Sequence, residues 1–444
     1  MKILHIAAHL GGGAGKAISG MAIQGQRDFP DEHRILLLQQ PEKNDYVRQC
    51  LENHVSVQVW DGTSGDLQWA DITAVSWWNH PAMAGFLRSF PRQSSPLLLW
   101  SHVNGCHYPF LTCQFAKAFD GVIFTSPYSF ENQTWTEGER KEMKELADVV
   151  YGMGQFDPQK MEPKADLSAS NYFVIGYVGT MNYGKLHSAF TDFCKEVCVR
   201  VPQARFVMAG DRDAQLEHDI RAAGLTDRFT FLGFTADVPT LMRTFDVFGY
   251  PLNPEHYGTT ENVLLEAMAC GVPPVVLRQN AEQFIVPQAE EYLADSPRQY
   301  ACRIEFLWKH PAQRMALGRR ARAYVLAHYD AKKNTVKFHD ACERAIKNCK
   351  NTHDFSFLGG SPWQWFLYCA GEENRLRLET ARTSLESGME EEALRQFLAC
   401  PSIFREARKS SLRHFAAIYP KDPQLHVLSS LIAAQSMNGG LSFQ

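Results

Sequence analysis

Short apolar runs alternate with polar or amphipathic stretches from the start of the chain. ILHIAA, RILLLQQ, VSVQVW, ITAVSWW, PLLLWSHV and GVIFTS each have the length and composition of a buried strand. Alternation of this kind predicts βαβ units and a parallel sheet. The pattern stops at DPQKMEPKADLSASN (157–171), which is polar, carries two prolines and has no apolar period. A linker is expected there, over 161–171. Alternation then restarts: YFVIGYVG, RFVMAG, FTFLGF, DVFGYPL and PPVVL read as strands, with SAFTDFCKEVCVRV, AQLEHDIRAAGL, VPTLMRTF and ENVLLEAMAC as the helices between them. Two doubly wound Rossmann-like α/β domains are predicted, at 1–160 and 172–350. The carboxyl ends of their sheets are expected to face one cleft, where such folds bind ligands.

From about residue 300 the spacing is helical, and 351–444 reads as a helical extension. SPWQWFLYCAG is aromatic-rich. SGMEEEALRQFLACP and YPKDPQLHVLSSLIAAQ resemble the helix pairs of tetratricopeptide repeats, without the regular period of ~34 residues. Two expectations stand for this part: helices packed on the second domain, or a surface that recruits a partner.

Composition narrows the classes. Of 444 residues, 45% are hydrophobic and 21% charged, as in a soluble globular protein of two domains with room for a third piece. No apolar run approaches the roughly 20 residues that cross a bilayer. No basic region precedes a long apolar core, so no signal peptide is expected. A cytoplasmic location is expected, with peripheral membrane attachment left open. The eleven cysteines are scattered without metal-ligand spacing, as reduced thiols are. Net charge is −4, and residues 1–150 hold 12 Lys and Arg against 16 Asp and Glu, which argues against nucleic acid.

The first candidate chemistry is HLGGGAGKAIS (9–19), a glycine-rich turn behind the first strand. The nucleotide-triphosphate P-loop needs G-x-x-x-x-G-K-[ST]. Gly15-Lys16 supplies its end, but Leu10 stands where the first glycine belongs and Ala17 where the Mg²⁺-binding hydroxyl belongs. Three readings remain at this point: a P-loop, a tight strand-to-helix turn, or a glycine turn facing a different phosphate.

The more informative segment is YPLNPEHYGTTENVLLEAMACGVPPVVL (250–277). A strand ends near Leu252, and a helix opens near Thr259-Thr260, carries Glu266 in its second turn and stops at Gly271 ahead of two prolines. Free amides at the helix start suit an anion, and a carboxylate two turns in suits sugar hydroxyls.

LLEAMACGVPPVV resembles the donor-site signature of retaining GT-B glycosyltransferases of the family-four type (glycosyl transferases group 1). GYVGTMNYGKLHSAF, RFVMAGD and FTFLGFTADVPTLMRTFDVFGYPLNPE resemble further segments of that family in the same order, covering roughly 172–280. The first domain resembles it more loosely, through the GGG turn, WWNHP, LLLWSHVNG and FDGVIFTS. The resemblance implies a GT-B fold and transfer of a hexosyl or related sugar from a nucleotide-diphosphate sugar to an acceptor hydroxyl, with retention and without a metal or other cofactor. The sequence does not identify the acceptor: a glycan, a lipid-linked glycan, a protein and a small molecule all stay open.

The resemblance also assigns residues. Glu266 would bind the donor ribose, and Lys185 the diphosphate, with Thr180 beside it. The amides around Thr259, Thr260, Glu261, Asn262 and Val263 would cap the distal phosphate or the sugar, and Gly233, Phe234 and Thr235 would line the base. His102 would face the reacting centre, and Gly12 and Gly13 would form the turn near the phosphates. Replacing Glu266 or Lys185 by alanine is expected to cut turnover strongly and leave the fold intact.

The chain departs from the pattern twice. The family's first glutamate, eight residues before the second, falls on Gly258, flanked by Glu255 and Glu261; the arginine ahead of Lys185 falls near Thr180. DRD (211–213) spells the D-x-D of metal-dependent transferases but reads here as a solvated loop. In WWNHP, Asn79 and His80 are expected on the acceptor side, with the tryptophans either stacking on a sugar or filling the core. His107 reads equally as a second cleft histidine or a loop residue. Two rivals of other classes are a degenerate GT-B binding protein, favoured by Gly258, and an ATP-using P-loop enzyme dependent on Lys16.

Overall fold

The computed structural model describes residues 1–437 except 43, 64, 91–94, 166–170, 236 and 351. Part of the expected linker therefore lies outside the described residues. The chain forms two compact units: Met1–Thr125, Ser129–Val150 and Lys337–Gln444 in one, Ser126–Tyr128 and Tyr151–Val336 in the other.

The first unit is built on a seven-stranded parallel sheet ordered β3-β2-β1-β4-β5-β6-β7. Its strands are β1 (Lys2–Ala7), β2 (Glu32–Leu37), β3 (Ser56–Val59), β4 (Ile72–Trp77), β5 (Leu97–Ser101), β6 (Gly121–Phe124) and β7 (Ala147–Val149). The first six are the apolar runs of the sequence; β7 was missed because three half-buried residues at a sheet edge leave no apolar run. The second unit has a six-stranded sheet ordered β10-β9-β8-β11-β12-β13. It comprises β8 (Phe173–Val178), β9 (Ala204–Ala209), β10 (Phe229–Gly233), β11 (Val247–Tyr250), β12 (Pro274–Leu277) and the two-residue β13 (Leu293–Ala294). Both sheets reverse their winding once, at β1/β4 and at β8/β11. Crevices at the carboxyl ends of such neighbours are where doubly wound folds take ligands.

The C-terminal part differs from expectation. Phe338, Ala341, Cys342 and Ala345, from the helix Ala331–Lys347, lie in the core of the first unit with Ile3, Ala74, Leu98 and Trp100. The extension stays with that unit. His353 Nε2 lies 2.8 Å from Asp120 Oδ2 with both side chains fully buried, and the amides of Leu97 and Lys350 also donate to this carboxylate. Phe110 donates its amide to the Cys369 carbonyl, Thr112 and Tyr368 share a hydroxyl pair at 2.6 Å, and Tyr419 donates to the Pro81 carbonyl. These contacts of the extension are with the first unit, where the sequence suggested packing on the second domain. The extension's aromatic stripe, Trp363, Trp365 and Phe366, is buried, so the composition that suggested a helical appendage encoded an internal contact. Among the described residues no helix is long and apolar enough to cross a membrane.

Candidate functional site

At the β8/β11 switch point of the second unit, strand ends and loops come into close backbone contact. The Gly179 amide donates to Ala209, and the Gly210 amide to Gly233. A Cβ on Gly210 would stand 2.0 Å from the Gly179 carbonyl oxygen, and its φ is +136°, so only glycine fits.

Beside them lies a buried charge cluster. Lys185 Nζ donates to Glu261 Oε2 at 3.1 Å, and the Tyr250 hydroxyl donates to the same oxygen at 2.6 Å. His256 Nδ1 accepts the Gly258 amide and lies 3.7 Å from Glu261 Oε1. The Lys185 ammonium sits over the Tyr250 ring at 5.3 Å, and Tyr177 stacks on that ring. Tyr177 in turn donates to the Thr180 carbonyl at 2.6 Å, which fixes the turn leaving β8. Burial alone would raise the Glu261 pKa. The Lys185 charge, the nearby His256 and the Tyr250 hydrogen bond outweigh it and bring it down to about 2. Glu261 is ionised and held.

This arrangement bears on the missing glutamate. A Cβ at Gly258 would lie 2.1 Å from Glu261 Oε1 and 2.4–2.5 Å from the His256 ring. The Glu261 carboxylate occupies the space that a side chain at 258 would need. Glu255 is exposed and does not take part.

The helix Asn262–Ala269 begins directly after Glu261, with no side-chain cap. Its first amides, of Asn262 and Val263, have no preceding turn to supply acceptors. The flanking side chains hold a second backbone segment: Thr260 Oγ1 accepts the Gly152 amide at 2.9 Å, and Asn262 Nδ2 donates to the Gly152 carbonyl at 3.0 Å. Gly152 was missed in the sequence, where only the pair of glycines in YGMG marked it. Thr259 is buried, and Glu266 is half-buried one turn beyond Asn262, on the same face. Gly233, the last residue of β10, has φ +69°, and on the loop after it Phe234 is 84% exposed, with Thr235 half-buried beside it.

Glu282, also missed, is 2% exposed, and its Oε1 has no hydrogen-bond partner. Burial and the nearby Glu261 charge push its pKa well above the usual range. The two glutamates act oppositely on stability. The depressed pKa of Glu261 contributes stability above about pH 4.5 that is lost as pH falls towards 2. The raised pKa of Glu282 contributes stability below about pH 4.5 that is lost as pH rises through its folded value. Glu282→Gln is therefore expected to raise the melting temperature at pH 8 and leave it nearly unchanged at pH 4. An equal shift at both would show that this carboxyl does not titrate as described.

Asp213, in the DRD segment, caps the helix Ala214–Ala222 by accepting the Leu216 amide. This gives it a structural task.

In the first unit, Gly12 and Gly13 open the helix Gly12–Asp28, capped only by Gly11, and both are exposed. Lys16 lies inside that helix. His102 follows β5, and its Nε2 is enclosed without a partner; burial, with His5 nearby, lowers its pKa to about 3, so the ring is neutral. Asn79 and His80, expected on the acceptor side, are both buried. Asn79 is fully buried and donates to Tyr108, and His80 is 3% exposed, caps the helix Pro81–Arg88 and meets the His414 ring at 4.6 Å. The extension covers them, which the local sequence did not register. Trp77 is core, whereas Trp78 is half-buried. His107 is half-buried in a loop, its amide donating to Asn104.

Two parallel doubly wound sheets, each with one switch point, define the GT-B class. The crystal structure of Anabaena Alr3699/HepE in complex with UDP superimposes with a TM-score of 0.60 at 19% identity, over 77% of this chain and all of that one. Residues 172–310 match the family model of glycosyl transferases group 1. Among curated relatives, it is 34% identical over 106 residues to the 2-deoxystreptamine N-acetyl-D-glucosaminyltransferase of Streptomyces fradiae (22% of this chain, 24% of the relative). It is 29% identical over 132 residues to the Vi polysaccharide biosynthesis protein VipC/TviE of Salmonella typhi (27% and 22%). The chain thus spans about a quarter of the length of these relatives.

Proposed function

We propose that this protein is a glycosyltransferase that moves a sugar from a nucleotide-diphosphate donor to an acceptor hydroxyl with retention at the anomeric carbon. The observation that carries the reading is the buried Lys185–Glu261–Tyr250 cluster at the switch point, directly before the uncapped helix Asn262–Ala269. One cation and a set of helix-start amides suit a diphosphate, and they stabilise negative charge as it develops on the departing group. Glu261 takes the sugar-facing task that the family pattern gives to position 258. Glu266 receives the ribose hydroxyls, and Phe234 offers an exposed ring to the base. His102, neutral, serves as a hydrogen-bonding group rather than a cation. Because HepE is described with UDP, uridine is the first base to try.

Thermal stabilisation by UDP, GDP, ADP, CMP and ATP, with and without Mg²⁺, tests the reading. Ligands that bind only the folded state raise the midpoint, by about 2.7 kcal/mol at a hundredfold excess over Kd. A metal-independent shift with one diphosphate, lost in Glu266→Ala, is expected. A shift confined to Mg-ATP and lost in Lys16→Ala would replace this proposal with the P-loop reading.

A further inference from the structure

The carboxyl edge of the first sheet carries a second group of polar rings. His9 follows β1, and Trp78 follows the neighbouring β4. Their rings are 5.4 Å apart. The C-terminal extension lies on this edge. Ser410 donates its hydroxyl to the Trp78 carbonyl at 2.8 Å and its amide to His414 Nδ1 at 3.2 Å, and its carbonyl accepts the Tyr108 hydroxyl. Asn79, Lys409 and Ser410, none of them glycine, have φ of 56°, 60° and 62°. Each such conformation costs on the order of 1 kcal/mol and persists only where surrounding contacts over-determine it.

This anchoring places Arg408 where its Nη1 donates to Glu42 Oε2 at 2.7 Å, with both side chains about 70% exposed. Burial lowers the pKa of His9, and of His414 to about 4, so both imidazoles are neutral near pH 7. Glu42 and Arg408 lie within electrostatic range of both rings. Among the described residues no three His, Cys, Asp or Glu groups are placed to share a metal ion.

We propose that Arg408 and His414 of the extension, together with His9, Trp78 and Glu42, form a subsite for a neutral hexopyranose ring of the acceptor. The subsite rests on the glycosyltransferase reading. An indole face suits the apolar side of a sugar ring, and neutral imidazoles with an arginine–carboxylate pair supply donors and acceptors for its hydroxyls. The pair carries no net charge, which favours a neutral ring over an anionic one. The family match ends at residue 310, so acceptor choice is assigned to a part of the chain outside it.

Saturation-transfer NMR on the full chain, with methyl α- and β-D-hexopyranosides and the corresponding methyl disaccharides as probes, tests the subsite. Saturation of ring protons in the wild type is expected, and Arg408→Ala and His414→Ala should each weaken binding about tenfold, the loss of one charge-assisted or buried hydrogen bond. Arg408 is exposed, so its truncation leaves the fold in place. UDP-induced stabilisation should be the same in the variants as in the wild type. Saturation of no glycoside by the wild type, or equal saturation in both variants, would overturn the subsite. Absence of any nucleotide shift in the wild type would count against the donor reading instead, and the glycoside result would still decide the subsite.

Discussion

Replacing Lys185 by alanine is expected to cost both turnover and stability. The sequence alone suggested a loss of turnover on an intact fold. The structure changes that, because Lys185 is the cation that keeps a carboxylate ionised in a buried position: their side chains are 18% and 7% exposed. Truncation leaves Glu261 charged and buried, with the Tyr250 hydroxyl as its remaining hydrogen-bond donor among the described residues and His256 Nδ1 3.7 Å away. Removing one partner of such a pair costs about 3 kcal/mol, more than the pair itself contributes relative to neutral groups. Turnover should fall about 100-fold or more, as when a preorganised charge-stabilising donor is lost. Lys185→Ala combined with Glu261→Gln separates the two effects: it should recover most of the melting temperature and none of the turnover. A single variant as stable as the wild type would remove the structural half of the argument, and a fully active double variant the catalytic half.

Restoring the family's own residue, Gly258→Glu, should inactivate the protein rather than improve it. The new Cβ would press on the Glu261 carboxylate and the His256 ring, and a second carboxylate would enter a site with one cation. Overpacking and like charge together should cost about 2–4 kcal/mol. The double change Gly258→Glu with Glu261→Gly returns the carboxylate count to one. It should recover stability relative to the single variant, and donor binding with it. If the double variant melts no higher than Gly258→Glu, Glu261 does not stand in for the missing side chain. The same comparison weighs against the degenerate reading, whose support was the absence of a glutamate at 258.

Of the thirteen strands among the described residues, eleven were legible as apolar runs. Parallel strands buried on both faces write their own signature, whereas β7 and β13, at sheet edges and two or three residues long, do not. The helix start was legible because helix starts and stops are local, whereas Lys185 and the ribose role of Glu266 were singled out by the family resemblance. The sequence could not choose between Glu255 and Glu261, which lie equally close to Gly258 along the chain. Only the backbone path turns one into solvent and the other onto Lys185. Gly152 and Glu282 reach the site from far along the chain, so no spacing rule finds them. The extension shows the same limit: its amphipathic helices were plain, but an apolar stripe does not name the surface it will cover. Local patterning therefore determined two doubly wound sheets and a phosphate-suited helix start. Tertiary structure decided which carboxylate balances the lysine and which sheet the last helices cover, because burial and ion pairing depend on distance in space.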